Sequence, residues 1–363
     1  METEHTVLTV DELYDILEET EDLEEFVFDY GLDTKVELEI TEVDGQDRLH
    51  IAFGETDEAT GARDRYRLTK DSAEQIFKQV KLPAVLLESV PPTLTIPIVN
   101  WFLAEETGAL KALIKDGFVI AFCSPSTEIY STQDLVQSVV REAKTKFNLT
   151  EVHIDHVDHD LNSTELTLIF PETGEALDNG DILLTGINIR TSVLGKKPLL
   201  VSGVIARDYH YNSMISETNL DQWNRKSVKV GSMDDMTDDN SYDVYDWIKD
   251  VTADLIRNSD NDRVNVKRLA NIEVGDHSTA VQTDIFNKFS IPAKAQGAIR
   301  LAFSEEPDAT LLSMWNAITS AANNPEIAEK VALIRKLREA GGSVAQRPHT
   351  CPSCYRLTGD LDD

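Results

Sequence analysis

Residues 165–205 read ELTLIFPETGEALDNGDILLTGINIRTSVLGKKPLLVSGVI. Three apolar-rich runs, at 165–170, 182–189 and 199–205, are separated by turn chemistry. Asn179-Gly180-Asp181 fills the first gap and Gly195-Lys196-Lys197-Pro198 the second. Runs of this length, bounded by Gly, Asn, Asp and Pro, read as strands. A further run at 152–157 precedes them. Connections this short join antiparallel neighbours, because a parallel pair needs a crossover of a dozen or more residues. The stretch therefore predicts an antiparallel sheet and not a βαβ repeat.

Upstream of this sheet the pattern mixes strands and helices. Phe118-Val119-Ile120-Ala121-Phe122 is a continuous apolar run, the mark of a buried strand. Ser124-Pro125-Ser126 turns the chain, and Thr132-Gln133-Asp134 opens a helix through Leu135, Val139 and Val140. Val36, Leu38 and Ile40 alternate, and Ile51 and Phe53 follow a turn at Asp44-Gly45, which reads as a hairpin. A helix over 72–79 ends before Leu82-Pro83, and helical spacing resumes through Ile98, Trp101, Phe102 and Leu103. Near the start, Thr9 and Glu12 form a capping box ahead of Leu13, Ile16 and Leu17.

Downstream, GSMDDMTDDNSY at 231–242 reads as a loop or linker. Helices are expected at 244–256, 280–289, 311–322 and 326–340, the last stopped by Gly341-Gly342. The expected fold class is α+β, a central antiparallel sheet flanked by N-terminal and C-terminal helices. The expected divisions are an acidic helix and hairpin at 1–62 and an α+β core at 63–230. An acidic loop and helix at 231–262, a helical part of the core at 263–342 and a tail at 343–363 complete the chain.

Charge bounds the setting. The 363 residues carry 65 acidic and 34 basic side chains, a formal net charge of -31. Thirteen acids and no base precede Lys35. Self-repulsion on this scale destabilises a compact chain in dilute buffer, but in molar salt the Debye length falls to roughly 3 Å and screens it. A hydrophobic content of 41% supports a sizeable core. The excess therefore reads as halophilic adaptation of a folded protein and does not argue against a nucleic-acid partner. Cys123, Cys351 and Cys354 make no disulfide framework. Glu2 and Glu4 after Met1 are the opposite of a signal-peptide start, and no apolar run reaches the roughly 20 residues that span a bilayer. The expectation is a cytoplasmic protein with no membrane partner.

Four places together resemble the phage/plasmid-like protein family, domain of unknown function 932. The first is the strand, serine turn, Tyr130 and helix start over 118–135. The second is Gly180-Asp181 followed by Gly186, Ser192 and Gly195. The third is Arg207 through Asn212 and Met214, similar to the family's Arg-x-x-Cys-x-Asn-Gly-Met. The fourth is Trp315-Asn316-Ala317-Ile318-Thr319, similar to its aromatic-Asn-Ala-x-Thr helix. The likeness spans roughly residues 63–342. This chain departs from the family at Thr191 for Asn, Val193 for Glu, His210 for Cys and Ser213 for Gly. The resemblance implies a mobile-element setting, here a haloarchaeal or haloviral member, in the high-salt cytoplasm of a host or in a virion. It implies no mechanism.

Three constellations are candidates for chemistry. Residues 182–230 hold seven bases and three acids inside this acidic chain. The bases include Arg190, Lys196, Lys197, Arg207, Arg225 and Lys226, and Tyr209, Tyr211 and Trp223 lie among them. Bases that track phosphates and aromatics that stack on nucleobases suit single-stranded nucleic acid. The second is His153, Asp155, His156, Asp158, His159 and Asp160, a set of imidazoles and carboxylates that suits Zn, Mn or Fe in a nuclease. Strict alternation puts His153, Asp155 and His159 on one face. The third is His349 with Cys351 and Cys354, three ligands of a structural zinc knuckle, which a free dithiol tail fits equally well. The chain lacks GxxxxGK[ST], GxSxG, HExxH and a flanked GxGxxG, which disfavours the motif-bearing enzyme classes. The leading expectation is a nucleic-acid-binding protein without ATPase activity, of single-strand-binding or annealing type, requiring no cofactor. A virion or assembly protein, acting as a homo-oligomer, and a metal-dependent nuclease are the alternatives.

Overall fold

A computed structural model describes residues 8–31, 36–43, 46–53, 64–127, 129–160, 162–177, 180–192, 194, 198–208, 214–223, 244–324, 327 and 331–346. The fold is α+β, with two sheets and helices on either side of them in sequence. It opens with α1 (Val10–Glu21), which carries the expected capping box: Thr9 Oγ1 accepts from the Glu12 N–H and Glu12 Oε2 accepts from the Thr9 N–H.

The first sheet has six strands: β1 (Glu24–Tyr30), β2 (Val36–Val43), β3 (Gln46–Phe53), β4 (Asp64–Leu68), β5 (Gly108–Lys115) and β6 (Phe118–Cys123). Their order is β1-β5-β6-β4-β3-β2, and only β4 and β6 run parallel. Asp116 and Gly117, both at positive φ, join β5 to β6, with Lys115 opposite Phe118. That is the backbone a two-residue type I′ hairpin requires. Phe28, Phe53 and Phe122 meet at the centre of the sheet with ring centroids 4.5 and 6.0 Å apart. Between β4 and β5 come α2 (Lys70–Gln79), the short α3 (Leu86–Ser89) and α4 (Pro92–Glu105). Ile76, Phe77, Val99 and Leu103 from these helices complete the core of this sheet. β3 of the N-terminal hairpin pairs with β4, and β1 pairs with β5, so this sheet runs across the boundary expected at residues 62 and 63.

After α5 (Thr132–Phe147) the second sheet is a five-stranded antiparallel meander: β7 (His153–Asp160), β8 (Ser163–Ala176), β9 (Ile182–Thr191), β10 (Leu199–Asp208) and β11 (Met214–Trp223). One face is apolar. Leu166, Leu168, Phe170, Ile187, Ile189 and Val201 pack there with α1, α5 and the 26-residue helix α6 (Val244–Leu269). The other face is polar. His156, Thr167, Asn188 and Ser202 stand in register across four strands, and Asp158, Glu165 and Arg190 form the next row. Thr167, Asn188 and Ser202 are buried, and Glu165 is 2% exposed.

Among the described residues, four more α-helices follow: α7 (Ser278–Lys288), α8 (Ala293–Glu305), α9 (Leu311–Ala322) and α10 (Val331–Gln346). Gly341 and Gly342 do not stop α10, which runs on to Gln346 with both glycines buried. Leu333, Leu337 and Ala340 of α10 join Trp315 and Ile318 of α9 in the C-terminal core. On another side of α10, Arg335 Nε donates to Glu165 Oε2 at 2.5 Å, and the Arg338 guanidinium lies 4.0 Å from Glu165 Oε1. Arg338 is itself 6% exposed.

A carboxylate this deeply buried is stable only with its cations, and removing one partner leaves an uncompensated charge. Glu165→Ala is therefore expected to lower unfolding stability by about 3–5 kcal/mol in denaturant titrations. Glu165→Ala with Arg338→Met is expected to recover part of that loss.

Candidate nucleic-acid interface

Of the residues singled out for strand binding, Lys196, Lys197, Tyr209, Tyr211, Arg225 and Lys226 lie outside the described residues, as do His349, Cys351 and Cys354 of the knuckle and the 231–242 loop. Trp223 ends β11 opposite Leu199. Arg190 and Arg207 are described, and both have intramolecular partners.

Arg190 is half-buried on the polar face of the meander, where its Nε donates to Asn188 Oδ1 at 3.1 Å. Asn188 in turn donates to Thr167 Oγ1 at 2.9 Å. Arg207 is 6% exposed and pairs through Nη2 with Asp181 Oδ2 at 2.5 Å. The expectation that Arg207 meets phosphate is thereby corrected: a buried guanidinium held by a carboxylate is not presented to a polyanion. Arg190 lies level with Leu200 on β10, seven residues from Arg207, which is roughly 23 Å along a strand. The two described arginines do not share one surface.

The Arg207 pair belongs to a cluster that joins remote segments. Asn316 of α9 donates to Glu306 Oε2 at 3.2 Å, at the end of α8, and Glu306 feels both Arg207 and Asp181. Asp181, Arg207 and Asn316 come from three of the four places that carry the family resemblance. Burial holds the Glu306 carboxyl above its ordinary range, against the opposing pull of Asn316 and Arg207.

The histidine-rich strand is rearranged by a β-bulge. The register of β7 passes from Ile154 opposite Leu168 to His156 opposite Thr167, so Asp155 is the extra residue. Beyond it the faces exchange. Val157 and His159 turn to the apolar side and His156 joins the polar one, which overturns the shared face of His153, Asp155 and His159. His159 Nδ1 meets Thr164 Oγ1 at 2.7 Å and His153 Nε2 meets Glu151 at 3.1 Å. Burial lowers the basicity of both His156 and His159, with Arg338 adding to the effect at His156. Among the described residues, no group of three or more His, Cys, Asp or Glu is placed to hold a metal ion.

Among the described residues, one exposed basic face lies in a pair of helices of which the sequence reading missed the second. α7, a four-residue turn at 289–292 and α8 follow one another without a break. Ser290 adopts the left-handed conformation in that turn, φ 50°. Residues 278–304 contain three bases and one acid. Ala295 and Ile299 bury one face of α8 against Ile285, Phe286 and Leu311. Lys294, Gly297, Arg300, Leu301 and Ser304 line the exposed face, with Leu301 63% exposed. The Arg300 guanidinium sits 5.3 Å from the centre of the Phe286 ring and Lys288 Nζ 5.1 Å from that of Phe289. A Cβ built on Gly297 meets no atom within 4 Å. Mid-helix glycine costs about 1 kcal/mol relative to alanine, and here no packing contact within the chain requires it.

Glu306 has a testable consequence. A carboxyl whose folded pKa is raised adds stability below its unfolded pKa and loses it as pH rises through the folded value. Glu306→Gln stays neutral throughout. Its melting temperature is expected to match the wild type near about pH 4 and to exceed it near about pH 7. A lower melting temperature at neutral pH would show that the charged form is the favoured one.

Compared with protein-family models, with curated proteins and with solved structures, the chain finds no match in any of the three.

Proposed function

We propose that this protein binds DNA, without ATP-driven chemistry, through the exposed face of α8. The observation that carries the reading is the helix, four-residue turn and helix of α7 and α8, with a basic, glycine-containing outer face. Helix pairs of this order place their second helix in the major groove, its N-terminal residues at the base edges. Lys294 and Arg300 then contact phosphate or guanine, Leu301 offers an apolar surface to thymine methyl groups, and Gly297 lets the backbone approach closely.

Charge sorting supports the same reading. Residues 1–177 carry 38 acids and 13 bases, whereas residues 178–363 carry 27 and 21. The acidic excess is greater in the first half of the sequence than in the half that holds α8. The likeness to a phage- and plasmid-borne family supports a mobile-element setting. A groove-entering helix favours duplex over the single strand, since the described bases of 182–230 are held by internal partners.

The test is fluorescence anisotropy of a labelled duplex, and of one of its strands alone, titrated with protein in KCl up to about 2 M. Duplex binding is expected to weaken by about tenfold or more in Lys294→Glu with Arg300→Glu. Gly297→Ala is expected to raise stability by about 0.5–1 kcal/mol while weakening binding, a pairing that a purely structural glycine would not give. Binding abolished instead by Lys196→Glu with Lys197→Glu would move the contact to the meander, and absence of binding to both probes would reject the reading.

A further inference from the structure

β6 stops short of its neighbour. Its pairing with β5 ends at Cys123 opposite Lys111, while β5 extends back to Gly108 and there pairs only with β1 among the described strands. The same register would set Pro125 opposite Ala109, and proline has no N–H with which to continue the ladder. The chain turns instead, and the Thr127 N–H donates to the Ser124 carbonyl at 2.9 Å. Cys123 Sγ donates to the Lys111 carbonyl at 3.8 Å, which places that carbonyl on the β6 side of β5. Backbone groups two residues apart in a strand point the same way, so the N–H and C=O of Ala109 face the side that β6 has left. A cleft of about 430 Å³ opens there, between the end of β6, the start of β5 and α2. Its volume falls in the range of roughly 300–1,000 Å³ usual for ligand sites.

Gln75, Lys78 and Gln79 of α2 form the facing wall. Internal bonds orient both amides. Gln75 Oε1 accepts from the Phe122 N–H at 2.7 Å, which leaves its amide nitrogen as the donor. Gln79 Nε2 donates to the Tyr30 hydroxyl at 2.7 Å, which leaves its carbonyl as the acceptor. A side chain at Gly108 would overlap that hydroxyl, so glycine is what lets Tyr30 hold Gln79. In a chain with 65 acids, none of the described residues lining the cleft is acidic, and Lys78 is exposed. A ligand therefore meets a cation, an amide donor, an amide acceptor and one backbone edge. A small anion would use only the first two. The paired N–H and C=O of Ala109 call for the complementary pair, which a peptide unit supplies. We propose that the cleft binds the carboxyl end of an extended peptide, whose backbone adds to β5 at Ala109 and whose terminal carboxylate meets Lys78 and the Gln75 amide. Main-chain hydrogen bonds then supply affinity, and the charge-assisted bond to Lys78 selects a chain end.

Cys123 lines the cleft and serves as the reporter of its occupancy. The full chain is alkylated with iodoacetamide in about 2 M KCl, and the rate at Cys123 is followed by peptide mass spectrometry, separately from Cys351 and Cys354. Acetylated Ala-Ala-Leu with a free carboxylate, at about 5 mM, is expected to slow that rate by about threefold or more. The same peptide as its C-terminal amide, and the free acid N-methylated along its backbone, are each expected to protect far less. Lys78→Ala, at an exposed position, is expected to keep the wild-type circular dichroism and to lose the protection. No slowing by the free acid overturns the proposal, as does equal protection by the amide or by the N-methylated peptide. Equal protection by potassium acetate overturns it too, because the cleft then takes an oxyanion without pairing to its backbone. A folded Lys78→Ala protein that is still protected removes the assigned carboxylate contact and overturns it as well.

Discussion

Glu165 is a carboxylate on an interior strand of a sheet, 2% exposed, and its ion-pair partner Arg335 is 170 residues away in α10. Few arrangements of the C-terminal helices satisfy that charge. Once Arg335 and Arg338 reach it, α10 is fixed against the meander, and α9, packed on α10 through Trp315 and Ile318, is fixed with it. The two faces of the sheet then differ in kind. Apolar burial against α5 and α6 drives association on one side, and on the other a row of hydrogen-bonded polar groups sets register and orientation.

The same economy explains where the chain keeps its cations. Arg190, Arg207, Arg263 and Arg338 are drawn inward to meet Asp181, Glu165, Glu175 and the polar row. Cations left on the outside then mark the surface on which they lie. Among the described residues, Lys288, Lys294 and Arg300 of α7 and α8 are exposed cations of this kind, as are Arg141, Lys144 and Lys146 of α5. A stretch of sequence that is locally basic is therefore a weaker guide to an anion site than a locally basic exposed face, because burial of the sheet gives Arg190 and Arg207 internal partners.

Edges and uncharged faces follow a related logic. The outer strand β2 of the first sheet exposes backbone groups that invite pairing with another chain. Asn100 covers part of that edge with its own amide, and in doing so presents the apolar side of α4 to solvent.

The sequence by itself determined the local elements. The Thr9 and Glu12 cap, the strands at 153–208 and the helices at 244–256 and 311–322 were legible, because caps and side-chain periodicity act between residues a few positions apart. Some local signals misled. The double glycine at 341–342 sits inside α10, where burial favours small residues over a helix stop, and Pro292 and Gly297 hid α8 from a periodicity reading. Asp116-Gly117 was a readable hairpin signal and would have disclosed β5. Only the tertiary structure decided which charges are buried, how the bulge at Asp155 reassigns the histidines, and which helices present an unpaired face. Those outcomes depend on the dielectric and partners that distant segments supply, and the energy of a charge is fixed by that environment and not by its neighbours along the chain.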